Sequence, residues 1–123
     1  MFQVERRKYL RVRVDTFVSE SGEGMNYLGR TLDIGEGGLR YMVPAGRKIP
    51  AGKKVKLRFS LPECETDFEL DGTVVGTDDV FAGKIACVKF NPVRERQARR
   101  LRDFVVDRKR KEILQQLEDL HLS

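Results

Sequence analysis

Apolar and polar residues alternate along most of the chain between residues 12 and 90, and this pattern predicts a set of short β-strands. Residues 54–61 follow it most strictly, with apolar side chains on one face and mainly cationic side chains on the other. Residues 12–18 place Val12, Val14 and Val18 on a common face in the same way. We predict six strands, over residues 12–18, 27–32, 39–43, 54–61, 68–75 and 84–90.

The connections between these segments are short and contain turn-forming residues, as in residues 21–24 (SGEG) and 49–52 (IPAG). None of the connections has room for a crossover helix, so neighbouring strands are expected to run antiparallel. The sequence therefore predicts a mainly β fold, in which six antiparallel strands form a barrel or a sandwich.

After residue 93 the apolar period changes to that of a helix. Leu101 and Val105, and further on Ile113 and Leu117, recur at helical spacing, which predicts a C-terminal α-helix over residues 94–123. Residues 107–112 (DRKRKE) interrupt the apolar stripe. The end of the helix either pairs with another chain, for example as a homodimer, or caps an open end of the barrel.

Length and charge narrow the picture further. With 123 residues, 40% of them apolar, the chain suits one domain, in which residues 1–93 form the barrel with an N-terminal arm and 94–123 the helix. Residues 1–15 carry a net charge of +3, residues 16–93 −1, residues 94–112 +5 and the remainder −2. The basic flanks suit a polyanion such as a phosphate ester, a nucleic acid or an anionic membrane surface.

The reactive side chains do not form a catalytic or metal-binding pattern. Cys64 and Cys87 lack a CxxC pair, and His121, the only histidine, lies in the predicted helix. We therefore expect no enzyme activity, no metal and no cofactor. No apolar run reaches the roughly 18 residues that a membrane-spanning helix needs, and we expect a cytoplasmic protein with reduced thiols.

Basic residues cluster just before the first predicted strand. Arg7 and Arg11 form an RxxxR pair, and Arg6 lies beside it. Guanidinium groups make paired hydrogen bonds to phosphate and to the O6/N7 edge of guanine, and they stack on purines. A solvated basic arm is the alternative interpretation. A second basic run, Arg108–Lys111, is either a solvated helix face or a contact for nucleic acid or anionic lipid.

A glycine-rich turn follows the second predicted strand, with Asp33, Gly35, Gly37 and Gly38. Glycines can adopt positive φ and let backbone N–H groups approach an anion, and Asp33 can accept hydrogen bonds from a guanine edge. The alternative is a hairpin turn in which Asp33 caps its own backbone.

Together, and in this order on this framework of strands, the two features resemble the PilZ domain family of bacterial cyclic di-GMP receptors. The arginines at 6, 7 and 11 match one family motif. Asp33-x-Gly35-x-x-Gly38 matches the second, in which the family has Asp or Asn, then Ser, then Gly. The similar segments elsewhere are residues 29–32 (GRTL), 54–61 (KVKLRFSL), 72–75 (GTVV) and 88–90 (VKF).

The resemblance implies a six-stranded antiparallel β-barrel with a C-terminal helix, and cyclic di-GMP as the ligand. It further implies that Arg7 and Arg11 grip phosphate and guanine while Arg6 stacks or adds charge. Asp33 would bind a guanine edge, and Gly38 would give the ligand access to the backbone.

Two positions depart from the family pattern. Gly35 stands where the family usually has Ser, so one hydroxyl contact worth on the order of 1 kcal/mol is missing from the ligand site. Cys87 stands where the family commonly has Gly, and its side chain would crowd the ligand if that face of the strand lines the site.

The leading hypothesis is a cyclic di-GMP effector whose arginine arm orders on the ligand and signals to a protein partner in motility, pilus or exopolysaccharide control. We expect no DNA binding. One alternative is a PilZ-fold protein-interaction adaptor that works without nucleotide, which Gly35 and Cys87 motivate. Another is a small nucleic-acid-binding barrel. Such proteins bind through aromatic residues interleaved with basic ones on a strand face, and this chain lacks that pattern.

Overall fold

The structure of the chain is a computed structural model that describes residues 10–122, apart from the side chain of Leu122. The predicted ligand residues Arg6 and Arg7 lie outside the described residues. The elements are β1 (Arg11–Arg13), β2 (Phe17–Gly22), β3 (Met25–Gly35), β4 (Gly38–Val43), β5 (Lys54–Phe59), β6 (Phe68–Val80), β7 (Gly83–Phe90) and α1 (Glu95–Leu122).

Strands β2 to β7 form a closed antiparallel barrel. Neighbouring strands follow in the order β3, β2, β5, β6, β7 and β4, and the pairing of β4 with β3 closes the ring. Within residues 10–122, the short strand β1 pairs only with the end of β3, where Arg11 lies opposite Gly35. The predicted six-stranded barrel with a C-terminal helix is confirmed, and β1 is added to it.

The strand predicted over residues 12–18 is divided into β1 and β2, which pair with different parts of β3. Between them the buried Thr31 hydroxyl donates to the Val14 carbonyl at 2.8 Å and accepts the Thr16 N–H at 2.9 Å. Backbone bonds still join this stretch to β3, from the Val14 N–H to the Leu32 carbonyl at 3.3 Å and from the Thr31 N–H to the Thr16 carbonyl at 2.8 Å, but the regular ladder is interrupted. The prediction of one continuous strand is therefore wrong. Its predicted inner face is confirmed, because the three valines of that face are all buried.

The barrel interior is filled by the apolar faces of the strands. On β5, Val55, Leu57 and Phe59 are buried, and the cationic residues between them are exposed, as the alternation predicts. The Phe59 ring stacks on Phe68 and Phe90, with centroids 5.4 and 6.4 Å apart. One layer of rings thus holds β5, β6 and β7 together.

A carboxylate, that of Glu20 on β2, also lies inside the barrel, with 1% of the residue exposed. The Tyr41 hydroxyl donates to its Oε1 and Arg47 Nη2 donates to its Oε2. The Arg47 guanidinium in turn lies 3.5 Å from the centroid of the Tyr27 ring. Burial and the Glu20 carboxylate raise the pKa of Tyr41. Because a buried charge is tolerated only when it is paired, these residues form one interdependent network.

The first half of α1 packs against the barrel. Leu101 and Val105 are buried in the core, and the helix contacts β1 and β3. Arg100 lies over the Phe68 ring and donates to the Thr66 carbonyl at 2.8 Å. The helix therefore lies close to the glycine-rich turn and to β1.

Candidate functional site

A β-bulge in β3 sets the direction of the Asp33 side chain. Thr31 pairs with Tyr41 and Asp33 with Arg40, so Leu32 has no opposite residue on β4. An extra residue reverses the alternation of side chains along a strand. Thr31 and Ile34 consequently both lie on the inner face, whereas Asp33, of which only 8% is exposed, shares the outer face with Arg40.

The Asp33 carboxylate is held by arginines from two neighbouring strands. Arg11 on β1 donates from Nη1 to Oδ1 at 2.9 Å. Arg40 on β4 donates from Nε to Oδ2 at 2.8 Å, and its Nη2 donates to the same oxygen. Each oxygen therefore has its own arginine, and we refer to Arg11, Asp33 and Arg40 as the arginine–aspartate cluster.

The electrostatics of the cluster keep Asp33 ionised. Burial acts to raise the pKa of this carboxyl, but the hydrogen bonds and charges of Arg40 and Arg11 outweigh it, and the pKa is lowered. The hydrogen bond to Asp33 likewise raises the pKa of Arg40. The cluster thus carries one anion and two cations, and its net positive charge suits an anionic ligand.

The two motif glycines bring strands into close contact. A Cβ on Gly35 would lie 2.6 Å from the Leu10 carbonyl oxygen, and one on Gly38 would lie 2.3 Å from that of Val88. None of the three glycines of the turn has a positive φ. Their role in the structure is therefore close approach of the backbone, and the left-handed geometry that the sequence suggested is not used.

An open pocket of about 460 Å³ adjoins the cluster. Arg13, which lies opposite Asp33 on β1, is part of its wall, together with Arg108 and with Arg30, which is paired with Asp15 of the same wall. Leu32 and Met42 add apolar surface to it. Guanidinium groups around an apolar surface suit a ligand that combines phosphate with a planar base.

The turn between β3 and β4 is connected to the helix. Arg102 of α1 contacts Glu36 Oε1 through Nε at 3.0 Å and Nη2 at 2.9 Å. A movement of the turn would therefore break this contact or displace α1.

The sequence profile of the PilZ domain matches residues 5–107 of the chain. The chain belongs to the PilZ family. A comparison with curated protein sequences finds no match.

Solved structures share the PilZ fold of this chain. The Bacillus subtilis inhibitor of motility (MotI/DgrA) superimposes with a TM-score of 0.81 at 18% identity, over 90% of this chain and 55% of that one. YcgR from Escherichia coli, solved in complex with c-di-GMP, gives 0.74 at 17% identity, over 93% and 51%. The K. pneumonia MrkH–c-di-GMP complex gives 0.71 at 20% identity, over 94% and 56%. The chain spans about half the length of these proteins.

The PilZ motif residues that the structure describes lie together. Arg11 contacts Asp33, Gly35 lies opposite Arg11 on the neighbouring strand, and Gly38 begins β4. The roles of Arg6 and Arg7 stay predictions, since both lie outside the described residues. The binding of a ligand by any of these residues likewise stays a prediction.

Sequence reasoning missed Arg40. It stands at a polar position of the predicted third strand, and its pairing with Asp33 depends on the bulge in β3. The only available signal was its cationic character two residues after Gly38.

Cys87 lies opposite Arg40 on β7, so its half-buried side chain shares the outer face with the cluster. Burial raises the pKa of its thiol. The face of β7 that carries Cys87 therefore borders Asp33, a residue of the second PilZ motif.

Among residues 10–122, no group of three His, Cys, Asp or Glu side chains could hold a metal ion. Nor does a helix in that range combine the length and the apolar character that crossing a bilayer requires.

Proposed function

We propose that this chain is a cyclic di-GMP receptor that binds its ligand at the arginine–aspartate cluster and carries no catalytic step. One observation carries the proposal: Arg11 and Asp33, 22 residues apart in sequence, come from the two PilZ motifs and lie in contact on the outer face of the barrel. Membership of the PilZ family supports it, as do the fold neighbours YcgR and MrkH, whose structures were solved with c-di-GMP.

In the proposed mechanism the two arginines have different tasks. Arg11 stands on a strand of three residues next to the N-terminal arm and makes one hydrogen bond to Asp33. Arg40 stands within the closed barrel and uses two N–H groups on Oδ2. The ligand displaces Arg11 from Oδ1, and Arg40 keeps Asp33 ionised and oriented.

The exchange matches the chemistry of a guanine dinucleotide. Once Oδ1 is released, it accepts hydrogen bonds from the N1–H and amino edge of a guanine, which presents donors there. Arg11, freed from Asp33, binds a ligand phosphate. Because the ion pair of Arg11 with Asp33 is replaced by one with the phosphate, the Arg11 guanidinium stays paired in the complex.

The proposal extends to an output. Arg6 and Arg7 complete the grip on the ligand and draw the arm over it, and the turn at Glu36 passes the change to α1 through Arg102. The altered surface of arm and helix is offered to a protein partner.

Isothermal titration calorimetry with cyclic di-GMP tests the proposal. We expect saturable binding by the wild-type chain, loss of binding in Arg11→Ala and in Asp33→Ala, and unchanged binding in Arg58→Ala. Arg58 is the matched control because it loses the same charge from an exposed pair with Asp67 on another part of the barrel. Absence of heat from a folded wild-type sample at high micromolar ligand would refute it.

The second candidate is a nucleotide-independent adaptor, and the contacts of the second PilZ motif favour it. Asp33 already has a partner on each oxygen, and position 35 has no hydroxyl to offer a ligand. A melting temperature that does not respond to cyclic di-GMP, in a chain that still captures a protein partner, would select the adaptor.

A further inference from the structure

Arg13 on β1 has no carboxylate partner among residues 10–122. The strands in that range carry five arginines, and each of the other four donates to a carboxylate, in the pairs Arg11–Asp33, Arg40–Asp33, Arg30–Asp15 and Arg58–Asp67. Arg13 lies opposite Asp33, but both oxygens of that carboxylate already accept hydrogen bonds from Arg11 and Arg40. The exposed guanidinium of Arg13 therefore keeps its donors available for a ligand.

Arg108 brings a second unpaired guanidinium to the same region from α1. Leu101 and Val105 belong to the helix face that packs on the barrel, and Arg108 continues that face, seven and three positions further on. An arginine thus occupies a position at which helical spacing predicts an apolar residue. Arg108 is half-buried, its guanidinium lies 5.3 Å from the centroid of the Phe104 ring, and it makes no ion pair within residues 10–122.

The two unpaired arginines line one pocket, the open pocket of about 460 Å³ beside the cluster. Its described wall residues include three arginines and one carboxylate, that of Asp15. Arg30 donates to both oxygens of Asp15, at 2.7 and 2.8 Å, so these two charges compensate each other. The uncompensated positive charge of the pocket therefore belongs to Arg13 and Arg108.

We propose that Arg13 and Arg108 form a second phosphate-binding subsite, an inference that rests on the proposed function. Cyclic di-GMP carries two phosphates and two guanines, and the proposed exchange at Asp33 and Arg11 engages one of each. Neighbouring strands lie about 5 Å apart, so Arg13 is within reach of a dinucleotide bound at Asp33. The subsite binds the remaining phosphate through the two guanidinium groups.

The subsite makes α1 part of the ligand site. Leu101 and Val105 fix the helix to the barrel, and Arg108 extends from the same face toward the pocket. A phosphate held by Arg13 and Arg108 joins β1 directly to α1, whereas the contact of Glu36 with Arg102 joins them only through the turn. The first residue of the basic run that starts at Arg108 is thereby assigned a ligand.

Isothermal titration calorimetry with cyclic di-GMP tests the subsite in Arg13→Ala and Arg108→Ala. We expect each variant to raise the dissociation constant roughly 3- to 10-fold, because solvent screening weakens ion pairs of partly exposed guanidinium groups. Arg110→Ala should bind as the wild type does. It is the matched control because it removes the same charge from an exposed position of the same helix, and residues two apart do not share a helix face.

The outcomes separate the subsite from the proposed function. Wild-type affinity in both Arg13→Ala and Arg108→Ala would overturn the subsite and leave the receptor proposal standing. A folded wild-type chain that does not bind cyclic di-GMP would refute both.

Arg108→Ala also removes the contact with Phe104, so a second measurement distinguishes ligand binding from docking of the helix. In heteronuclear NMR spectra of the wild-type chain, the side-chain Nε–H signals of Arg13 and Arg108 should shift when cyclic di-GMP is added, and that of Arg110 should not. The loss of each signal in its alanine variant provides the assignment. Arg13 and Arg108 signals that stay unchanged at saturating ligand would overturn the subsite.

Discussion

Replacing Arg40 by alanine separates the proposed tasks of the two arginines. Arg40→Ala removes both hydrogen bonds to Asp33 Oδ2 and leaves the Arg11 contact with Oδ1 in place. Asp33 then depends on the arginine that the ligand is proposed to displace. We expect weaker binding of cyclic di-GMP, although Arg40 itself belongs to neither PilZ motif.

The size of the effect follows from exposure and hydrogen bonding. The Asp33 side chain is 11% exposed, and hydrogen bonds to charged groups are worth about 1.5–3 kcal/mol when they are buried. The Arg40 side chain is 38% exposed, so solvent screening reduces this value. A loss of about 1–2 kcal/mol corresponds to a dissociation constant roughly 5- to 30-fold higher.

The pH dependence of binding distinguishes a lost orientation of Asp33 from general damage. Burial is the largest influence on the Asp33 pKa and acts to raise it, and Arg40 opposes burial more than Arg11 does, so without Arg40 this pKa is higher than in the wild type. As the pH falls toward the ordinary carboxyl range, the variant should therefore lose affinity at a higher pH than the wild type. The other charged or titratable groups that face the cluster are Arg13, Asp78 and Cys87, and the raised pKa of Cys87 keeps its thiol protonated at acidic pH.

Calorimetry at several pH values provides the assay. Arg40→Lys keeps the charge but replaces the planar guanidinium by a compact ammonium group. Its affinity for cyclic di-GMP should lie between those of the wild type and Arg40→Ala. Arg58→Ala should match the wild type. An Arg40→Ala affinity within about twofold of the wild type at each pH would refute the reasoning, since twofold is only about 0.4 kcal/mol.

The structure leads to further predictions for Gly35, Arg47 and Asp33. In Gly35→Ser the added Cβ would lie 2.6 Å from the Leu10 carbonyl oxygen, so β1 should move away from β3 and hydrogen exchange at residues 11–13 should accelerate. Because the proposed mechanism requires Arg11 to leave Asp33 and the serine hydroxyl adds a contact, cyclic di-GMP binding should be retained or tightened. Arg47→Ala leaves the buried Glu20 with Tyr41 alone, and the free energy of unfolding in urea should fall by about 3–5 kcal/mol. Because the pKa of Asp33 is lowered in the folded state, ionised Asp33 stabilises the fold fully above the ordinary carboxyl range, and this stabilisation disappears as the pH falls through the folded-state pKa. In Asp33→Asn the free energy of unfolding should therefore decrease less steeply with falling pH than in the wild type.

Each of these has its own control. Gly46→Ser, in a loop where a Cβ meets nothing within 4 Å, should leave exchange in β1 unchanged, and a Gly35→Ser chain that binds much more weakly than the wild type would contradict the first. Arg30→Ala breaks an exposed pair with Asp15 and should lower the free energy of unfolding by less than about 1 kcal/mol. An equally small loss of stability in Arg47→Ala would contradict the prediction for Arg47. Identical acid profiles for Asp33→Asn and the wild type would contradict the third.

The sequence alone predicted the elements and their inner faces well. Strict alternation on β5 depends on neighbours along the chain and on burial of one face, both of which the sequence displays. The helix and the two PilZ motifs are also visible in the sequence, because each depends on the spacing of residues that are near one another along the chain. The family resemblance placed Arg11 and Asp33 in one site before the structure placed them in contact.

What only the tertiary structure decided depends on partners distant in sequence. The bulge at Leu32 exists because two residues of β3 face one of β4, and that count is set by strand pairing. It turns Asp33 to the outer face and brings in Arg40, so the composition of the cluster could not be read from alternation. Likewise, the Thr31 hydroxyl divides the first predicted strand, and the Leu10 backbone accounts for glycine at position 35. Each of these features is a contact between segments that are distant in sequence and that only the pairing of strands brings together.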